Sequence, residues 1–198
     1  MNLYVNGEKL DVTLENEKTV GDVLQAFEKY CEQNKMATIG IKLNGKDIPA
    51  PEFDSAAQTP LCDDTEISLT VVSETAIQKS FSAIGKTFSD IEKKVEQIPI
   101  DLQSGKDAET NKTIIILADA LDQFCHIATL STLFPETYGN VKISGKSIAN
   151  FFSDFSHILS EFKQAMETGD TVSIGDLAEY EICPRLHSIA EFTGAEHA

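Results

Sequence analysis

Residues 2–27 read NLYVNGEKLDVTLENEKTVGDVLQAF, and this stretch decides the fold of the N-terminal half. Two short runs rich in β-forming residues, 2–6 and 9–14, flank Asn6-Gly7. An Asn-Gly pair between such runs is the strongest short-range hairpin signal, because a two-residue turn needs a positive φ at both central positions. The sequence therefore predicts that the chain opens with a β-hairpin.

An amphipathic helix is predicted directly after this hairpin. Thr19 stands at an N-cap position and Asp22 follows three residues later, a spacing that lets each side chain accept from the other residue's backbone N–H. Apolar residues then recur at helical spacing: Val20, Val23, Leu24, Phe27 and Tyr30. This pattern predicts a helix over residues 20–34 with one buried face.

Two further strands complete the predicted N-terminal domain. Residues 38–43 alternate between apolar and polar, and Asn44-Gly45 turns the chain toward residues 46–49. A proline-rich stretch, 49–60, separates them from a closing strand at 66–72. Ile39, Ile41 and Leu43 are predicted to share one face of the first of these strands, and Ile67, Leu69 and Val71 alternate in the same way along the closing strand. The predicted order is ββαβ followed by a final strand.

These segments together resemble the sulfur-carrier branch of the ubiquitin-like superfamily, the ThiS and MoaD type. The resemblance covers the hairpin, Thr-Val-Gly-Asp-Val-Leu at 19–24, Ile-Lys-Leu-Asn-Gly-Lys-Asp-Ile-Pro at 41–49 and Asp-Asp-Thr-Glu-Ile-Ser-Leu-Thr-Val-Val at 63–72. It implies a β-grasp domain over residues 1–72. Carriers of this type are activated at a C-terminal Gly-Gly carboxylate, but here Val71-Val72 run into Ser73-Glu74-Thr75. The resemblance therefore implies a β-grasp used as an adaptor, which binds through a sheet face or an edge strand.

The pattern changes from strand alternation to a helical repeat after residue 72. Apolar residues at alternating spacings of four and three predict a first long helix: Ile77, Phe81, Ile84, Phe88, Ile91, Val95 and Ile98. Pro99 is predicted to end this helix, and residues 101–112 to form a loop. We place a boundary at residues 72–76, which divides the chain into domains 1–72 and 73–198.

Three more helices are predicted in the second domain. One covers residues 113–133, with deep burial of its apolar start; another is opened by Ser144 and ended by Gly169; the last is capped by Ser173 and kinked by Pro184. The predicted fold class is α+β, an N-terminal β-grasp (ubiquitin-like) domain followed by an all-α antiparallel helical bundle of about four helices. The first helix has a narrow apolar seam that fits packing within the chain or against a second copy. A monomer and a homodimer through the helical half both stay open, and packing within the chain is favoured.

Composition restricts the classes of partner. The 198 residues carry 16 Lys and Arg against 32 Asp and Glu, a formal net charge of −16, and such a field repels nucleic acid and anionic lipid. The N-terminus lacks a basic segment followed by an apolar one, and no apolar run approaches the roughly 20 residues that span a bilayer. The cysteines are predicted to be reduced core thiols without a disulfide: Cys31, Cys62, Cys125 and Cys183. The acidic charge fits either solubility or an acidic face for a basic partner. We expect a cytoplasmic protein with protein partners and neither nucleic-acid nor membrane binding.

Candidate chemistry in the helical half is sparse. Three pairs at i,i+4 spacing share a helix face: Asp122 with His126, His157 with Glu161, and Cys183 with His187. Carboxylate metal sites in bundles use Glu-x-x-His motifs with additional Glu ligands, which the sequence lacks. The segment Ser144-Gly145-Lys146-Ser147 resembles only the end of a P-loop, because Asn140 stands where the earlier glycine is required. We predict no catalytic residue, no metal site and no cofactor.

Residues 169–181 are dense in acidic side chains around a few large apolar ones. One interpretation is a capped amphipathic helix. The other is a docking surface for a basic partner, formed by Asp176, Glu179, Tyr180 and Glu181, with Tyr180 as the aromatic anchor. We expect a non-catalytic interaction or scaffold protein. The alternative is an accessory protein of a sulfur-carrier-type pathway that binds an adenylating enzyme without being charged itself.

Overall fold

The computed structural model describes residues 1–194 and divides the chain into two compact units, Met1–Ala76 and the segment from Ile77 onward. The predicted α+β fold class is confirmed: a mixed five-stranded sheet with a helix comes first, and a mostly helical region follows. Each unit is described by itself below.

The N-terminal unit has a β-grasp-like strand order. Its strands are β1 (Asn2–Val5), β2 (Glu8–Leu10), β3 (Met36–Leu43), β4 (Lys46–Asp47) and β5 (Glu66–Ser73). Its helices are α1 (Val20–Gln33) and α2 (Phe53–Ala57), the latter preceded by a 3-10 turn at Ala50–Glu52. The sheet order is β2-β1-β5-β3-β4, with β1 and β5 parallel and the other neighbours antiparallel.

The local signals of this unit are confirmed. Asn6 and Gly7 adopt φ values of 49° and 86°, which makes the first hairpin turn possible. At the start of α1, the Asp22 N–H donates to Thr19 Oγ1 at 3.2 Å and the Thr19 N–H donates to Asp22 Oδ2 at 2.9 Å. This capping box satisfies backbone donors that the first turn of a helix leaves unpaired, so it fixes where α1 begins.

The core of this unit lies between α1 and one face of the sheet. It consists of Leu3, Val20, Val23, Phe27, Cys31, Ile67, Leu69 and Val71. The prediction for Ile39 is wrong: a bulge between Thr38 and Gly40 leaves Ile39 without a partner on β5, and its side chain is 45% exposed. One extra residue interrupts the two-residue period, so Ile39 leaves the core face that Ile41 and Leu43 occupy.

Helices dominate the described part of the second unit. Helix α3 (Glu74–Val95) follows β5 directly, and the remaining elements are α4 (Ile98–Gln103), α5 (Asp107–Ser131), α6 (Pro135–Tyr138), β6 (Lys142–Ile143), β7 (Lys146–Ser147), α7 (Ile148–Thr168), α8 (Thr171–Asp176), a π-helical segment (Leu177–Ile182) and α9 (Cys183–Gly194). The long helices are α3, α5, α7 and α9, in line with the predicted number of about four, and short helices and a hairpin connect them.

Several predicted boundaries in this unit are wrong. Pro99 lies in the first turn of α4, where its missing N–H is not needed, and the predicted loop 101–112 contains the start of α5. Ser144 and Gly145 form a hairpin turn with φ values of 49° and 78°. Helix α7 instead starts after Ser147, whose Oγ accepts from the Asn150 N–H.

The last predicted helix is also rearranged. Its N-cap is Asp170, not Ser173, because Asp170 Oδ1 accepts from the Ser173 N–H at 3.1 Å. Pro184 lies in the first turn of α9, directly after the π-helical segment, and the kink at this residue stays a prediction. Gly169 ends α7 with φ 67°, as predicted.

The apolar seam of α3 packs within the chain. Its members are buried: Ile77, Phe81, Ile84, Phe88, Ile91 and Val95. Phe88 is 0% exposed, and its ring lies 6.0 Å from that of Phe124 on α5. At Gly85, a Cβ atom would clash with Thr193 Oγ1, so the missing side chain lets α3 and α9 approach closely.

Candidate partner-binding site

The predicted docking residues lie on one stretch of helix, and three of the four are exposed. Asp176 ends α8, and Glu179 and Tyr180 follow on the π-helical segment, where Tyr180 is 65% exposed. Glu181 is half-buried: the Arg185 guanidinium donates to its carboxylate at 2.6 Å and to its backbone carbonyl at 2.7 Å. A charge paired with its own neighbour attracts a partner less than an unpaired one, and the role of Glu181 in docking stays a prediction.

The Tyr180 hydroxyl is engaged with Glu179. Its hydrogen bond to that carboxylate, together with the nearby negative charge, raises the pKa of Tyr180 above its ordinary value. The phenol stays protonated at neutral pH and its donor is directed to Glu179. Asp176, Glu179 and Tyr180 thus form a small acidic patch with one exposed ring, and docking at this patch stays a prediction.

A larger apolar surface lies between α5 and α7. The residues of α5 from Asn111 to Leu121 face the residues of α7 from Leu159 to Glu167 across a cavity of 360 Å³. The C-terminal part of α5, from Cys125 onward, faces the start of α7 across a second cavity of 470 Å³. The two helices are therefore antiparallel, and we call the line of both cavities the helical groove.

The helical groove is apolar along most of its length. The rings of Phe124 and Phe152 meet between the two cavities, with centroids 5.0 Å apart. The two cavities lie on either side of this ring contact, and together they extend along residues 111–132, roughly 30 Å at 1.5 Å per helical residue. Its apolar lining consists of Ile114, Leu117, Ala118, Leu121, Cys125, Ala128, Val141, Ile148, Phe152, Leu159, Phe162 and Met166.

Helix α5 leaves much of its apolar surface uncovered. The prediction of deep burial at its apolar start is wrong, because Ile115 is 62% exposed. Within residues 1–194, α5 is long and apolar enough to cross a membrane, by length and composition alone. This differs from our expectation that no apolar run is long enough. Only 22% of the most apolar 18 residues of α5 are buried. Core helices of globular proteins pass the same test, and Leu117, Ala120 and Phe124 are buried within the unit.

Few charges border the helical groove. Lys163 and Glu167 form an ion pair with each other at one end, at 3.8 Å. Near the other cavity, burial and the negative charge of Asp122 both raise the pKa of the Cys125 thiol. Asp122 is exposed and has no ion-pair partner within residues 1–194. An isolated carboxylate beside an apolar groove favours a cationic side chain on whatever the groove binds.

Nucleophilic or metal chemistry finds little support among the described residues. Cys62 and Cys125 are exposed, not core thiols as predicted, and all four cysteines are free. Burial, with Glu96 and Glu92 nearby, raises the pKa of Cys183 to about 12, so this thiol is not a thiolate at neutral pH. The two ring nitrogens of His187 lie 3.5 Å from Glu92 and 3.3 Å from Glu191. Within residues 1–194, no group of three His, Cys, Asp or Glu side chains is arranged so that it could hold a metal ion.

Two family descriptions match the chain. The TP0873 N-terminal domain matches residues 1–73, and the Domain of unknown function (DUF8042) matches residues 80–192, more than half of the chain. The chain belongs to the DUF8042 family. A protein of Treponema pallidum (strain Nichols), described as an uncharacterized protein, is 29% identical over 191 residues, which cover 96% of this chain and 95% of that protein. No solved structure matches the chain.

The helical groove lies entirely within the DUF8042 segment, and sequence reasoning missed it. The sequence does carry one signal, since Ile114, Ile115 and Ile116 are consecutive and a helix cannot bury all three sides against one neighbour. We interpreted this run as deep burial. The alternative interpretation is that part of the apolar surface of α5 stays open. Choosing it requires the distance between α5 and α7, which cannot be read from the sequence.

Proposed function

We propose that this DUF8042 protein is a non-catalytic protein–protein interaction protein, and that its helical groove binds an amphipathic helix of a partner. The observation that carries this proposal is the pair of cavities aligned between α5 and α7. An amphipathic helix binds an apolar groove through side chains at i, i+3, i+4 and i+7, and the antiparallel walls of this groove offer such a row of contacts.

Charge supports a basic partner helix over a second copy of this chain. From Ile77 onward the chain has ten basic and eighteen acidic residues, so two copies repel each other. In a symmetric dimer through α5, each Asp122 would also approach an acidic α5 surface. A partner helix with Lys or Arg beside its apolar stripe would place a cation near Asp122.

The test uses the full chain and two synthetic 18-residue helical peptides. Both peptides carry the same leucine stripe, with lysines on the flanks of one and glutamates on the flanks of the other. Fluorescence anisotropy should show binding of the lysine peptide and binding weaker by about tenfold or more for the glutamate peptide, because Asp122 and the net charge favour cations.

Two substitutions on α5 locate the binding. Ala118→Arg places a long charged side chain in the groove at an exposed position, and it should abolish binding of the lysine peptide without unfolding the chain. Gln123→Arg adds the same charge at an exposed position outside the groove lining and should bind like the wild type. Equal binding by both variants, or no binding of either peptide to the wild type, would reject the proposal.

A second candidate function is an accessory role beside an adenylating enzyme of the sulfur-carrier type. The β-grasp-like strand order of the N-terminal unit favours it. Strand β5 continues at Glu74 into α3, so the activatable tail of a carrier is absent at this position. The chain would therefore bind the enzyme without being adenylated by it. Co-purification with such an enzyme from the native organism, lost when residues 1–73 are removed, would support this alternative. A cytoplasmic location stays a prediction for both functions.

A further inference from the structure

The N-terminal unit holds an open strand edge beside a second groove. Strand β3 has eight residues, but β4 pairs only with its last two, Lys42 and Leu43. The Ile48 N–H reaches one step further, to the Ile41 carbonyl at 2.9 Å. From Met36 to Gly40, β3 has no strand on the side away from β5 within the described residues.

The direction of the backbone groups on this edge follows from the ladder. The Glu74 N–H donates to the Lys35 carbonyl at 3.0 Å, which makes Lys35 and Glu74 a hydrogen-bonded pair. Hydrogen-bonded and non-hydrogen-bonded pairs alternate along antiparallel strands. Met36 and Thr38 therefore present their N–H and C=O groups away from β5, toward the open edge.

An apolar groove of 660 Å³ adjoins this edge, and we call it the strand groove. One wall is α1, through Leu24, Phe27 and Cys31, and the other is β3 from Met36 to Ile41. Two apolar residues that line the groove are partly exposed, Ile39 at 45% and Phe53 at 39%. The bulge that moves Ile39 out of the core leaves its side chain exposed on the part of β3 that, within residues 1–194, has no strand on the side away from β5.

Two carboxylates on α1 define the charge of the strand groove. Glu28 and Glu32 are one helical turn apart, line the groove and are exposed. Neither forms an ion pair within residues 1–194, whereas the nearby Lys35 is paired with Glu74 at 3.0 Å. A second copy of this chain would bring an excess of acidic groups, since residues 1–76 hold six basic and fourteen acidic side chains.

We propose that an extended segment of a partner protein adds to the β3 edge, with apolar side chains in the strand groove and Lys or Arg against Glu28 and Glu32. Backbone hydrogen bonds to Met36 and Thr38 select an extended chain, and alternate side chains of that chain face α1. The proposal is independent of the helical groove, because it involves another unit and another backbone conformation of the ligand.

The probe is the peptide Lys-Thr-Val-Thr-Val-Thr-Lys, whose lysines and valines share one face when extended. The full chain should bind this peptide. Two N-methylated forms of the peptide test whether it binds by strand addition. Methylation of the N–H groups that face β3 should abolish binding, whereas methylation of the alternate N–H groups should leave it unchanged. Equal effects of both versions would overturn strand addition, as would the absence of any binding.

Charge reversal tests the site. The double substitution Glu28→Lys with Glu32→Lys should weaken binding by about tenfold or more and should restore binding of a peptide with Glu in place of Lys. The matched control is the double substitution Asp11→Lys with Asp64→Lys, which reverses two other exposed acids of the same unit. Its affinity for the lysine peptide should stay within about twofold of the wild type, because the change in net charge alone has a small effect. Equal losses in both double variants would reject the site. Sedimentation showing a dimer that the Glu28 and Glu32 substitutions dissociate would assign the edge to a second copy and overturn the proposal.

Discussion

Helices α3 and α5 belong to adjacent parts of the chain and have similar lengths, but they use their apolar residues differently. Helix α3 confines its apolar residues to a narrow seam, and every member from Ile77 to Val95 is buried. Helix α5 carries apolar residues on several sides, and Ile115 and Ala118 remain exposed. A seam that matches the buried face leaves no apolar surface for a partner, whereas a helix with more apolar residues than its unit can cover keeps some available for binding.

The largest expected effect is a loss of stability on placing a charge in the α3 seam. Phe88→Asp removes a fully buried ring that contacts Phe124 and leaves an unpaired carboxylate in its place. We expect a loss of about 3 kcal/mol or more in the free energy of unfolding, measured by urea denaturation. A variant that stays folded but changes from dimer to monomer in sedimentation would show that the seam is an intermolecular contact.

The next prediction compares two residues of α5 that are two positions apart. Leu117 is 3% exposed and Ile115 is 62% exposed. Leu117→Ala should lower the free energy of unfolding, measured by urea denaturation, by about 2–3 kcal/mol, because apolar burial is lost and a cavity remains. Ile115→Ala should leave the free energy of unfolding within about 0.5 kcal/mol of the wild type. Similar losses for the two variants would mean that the outer side of α5 is covered.

A smaller effect is expected at the close approach of α3 and α9. Gly85→Ala brings a Cβ atom against Thr193, whose own Cβ lies 2.9 Å from the new atom. The substitution should therefore lower the free energy of unfolding by about 1–3 kcal/mol. The control is Gly175→Ala on α8, where the nearest atoms, on Pro99, are 3.7 Å away. Thermal melts should show this control unchanged or slightly more stable, since alanine favours a helix.

The smallest expected effects concern thiol labelling. Cys183 is buried near α3, and its thiol donates to the Glu92 carbonyl, so it should react with a thiol reagent only after unfolding. Cys125 is exposed in the helical groove and should react in the native chain, faster as pH rises because its raised pKa leaves little thiolate at neutral pH. Saturation with the lysine helical peptide should slow labelling of Cys125 but not of Cys62, which is the exposed control in the other unit.

The sequence was most informative where a structure depends on neighbouring residues. The Asn6-Gly7 turn, the capping box of Thr19 and Asp22, and the end of α7 at Gly169 each need only a few adjacent positions, and all are confirmed. The bulge at Ile39 could not be predicted in this way. It depends on how β3 matches β5, a strand that begins more than twenty residues later.

The helical half shows the same division. Ser144-Gly145 has the chemistry of a turn and of a helix start, and only the pairing of Lys142 and Ile143 with residues 146–147 decides for the turn. The seam of α3 was predicted because its period is regular. The helical groove was not predicted, because it depends on the distance between α5 and α7. The sequence pattern of each helix is the same whether the two helices are in contact or separated.

Hydrogen–deuterium exchange of the full chain tests the central claim most directly. With the lysine helical peptide bound, we predict slower exchange at the groove-lining stretches of α5 and α7, residues 111–132 and 148–167, because a docked helix stabilises both walls. The Ala118→Arg variant should show no slowing, and the Gln123→Arg variant should match the wild type. Protection confined to the N-terminal unit, or no protection at α5 and α7 at peptide saturation, would contradict the account.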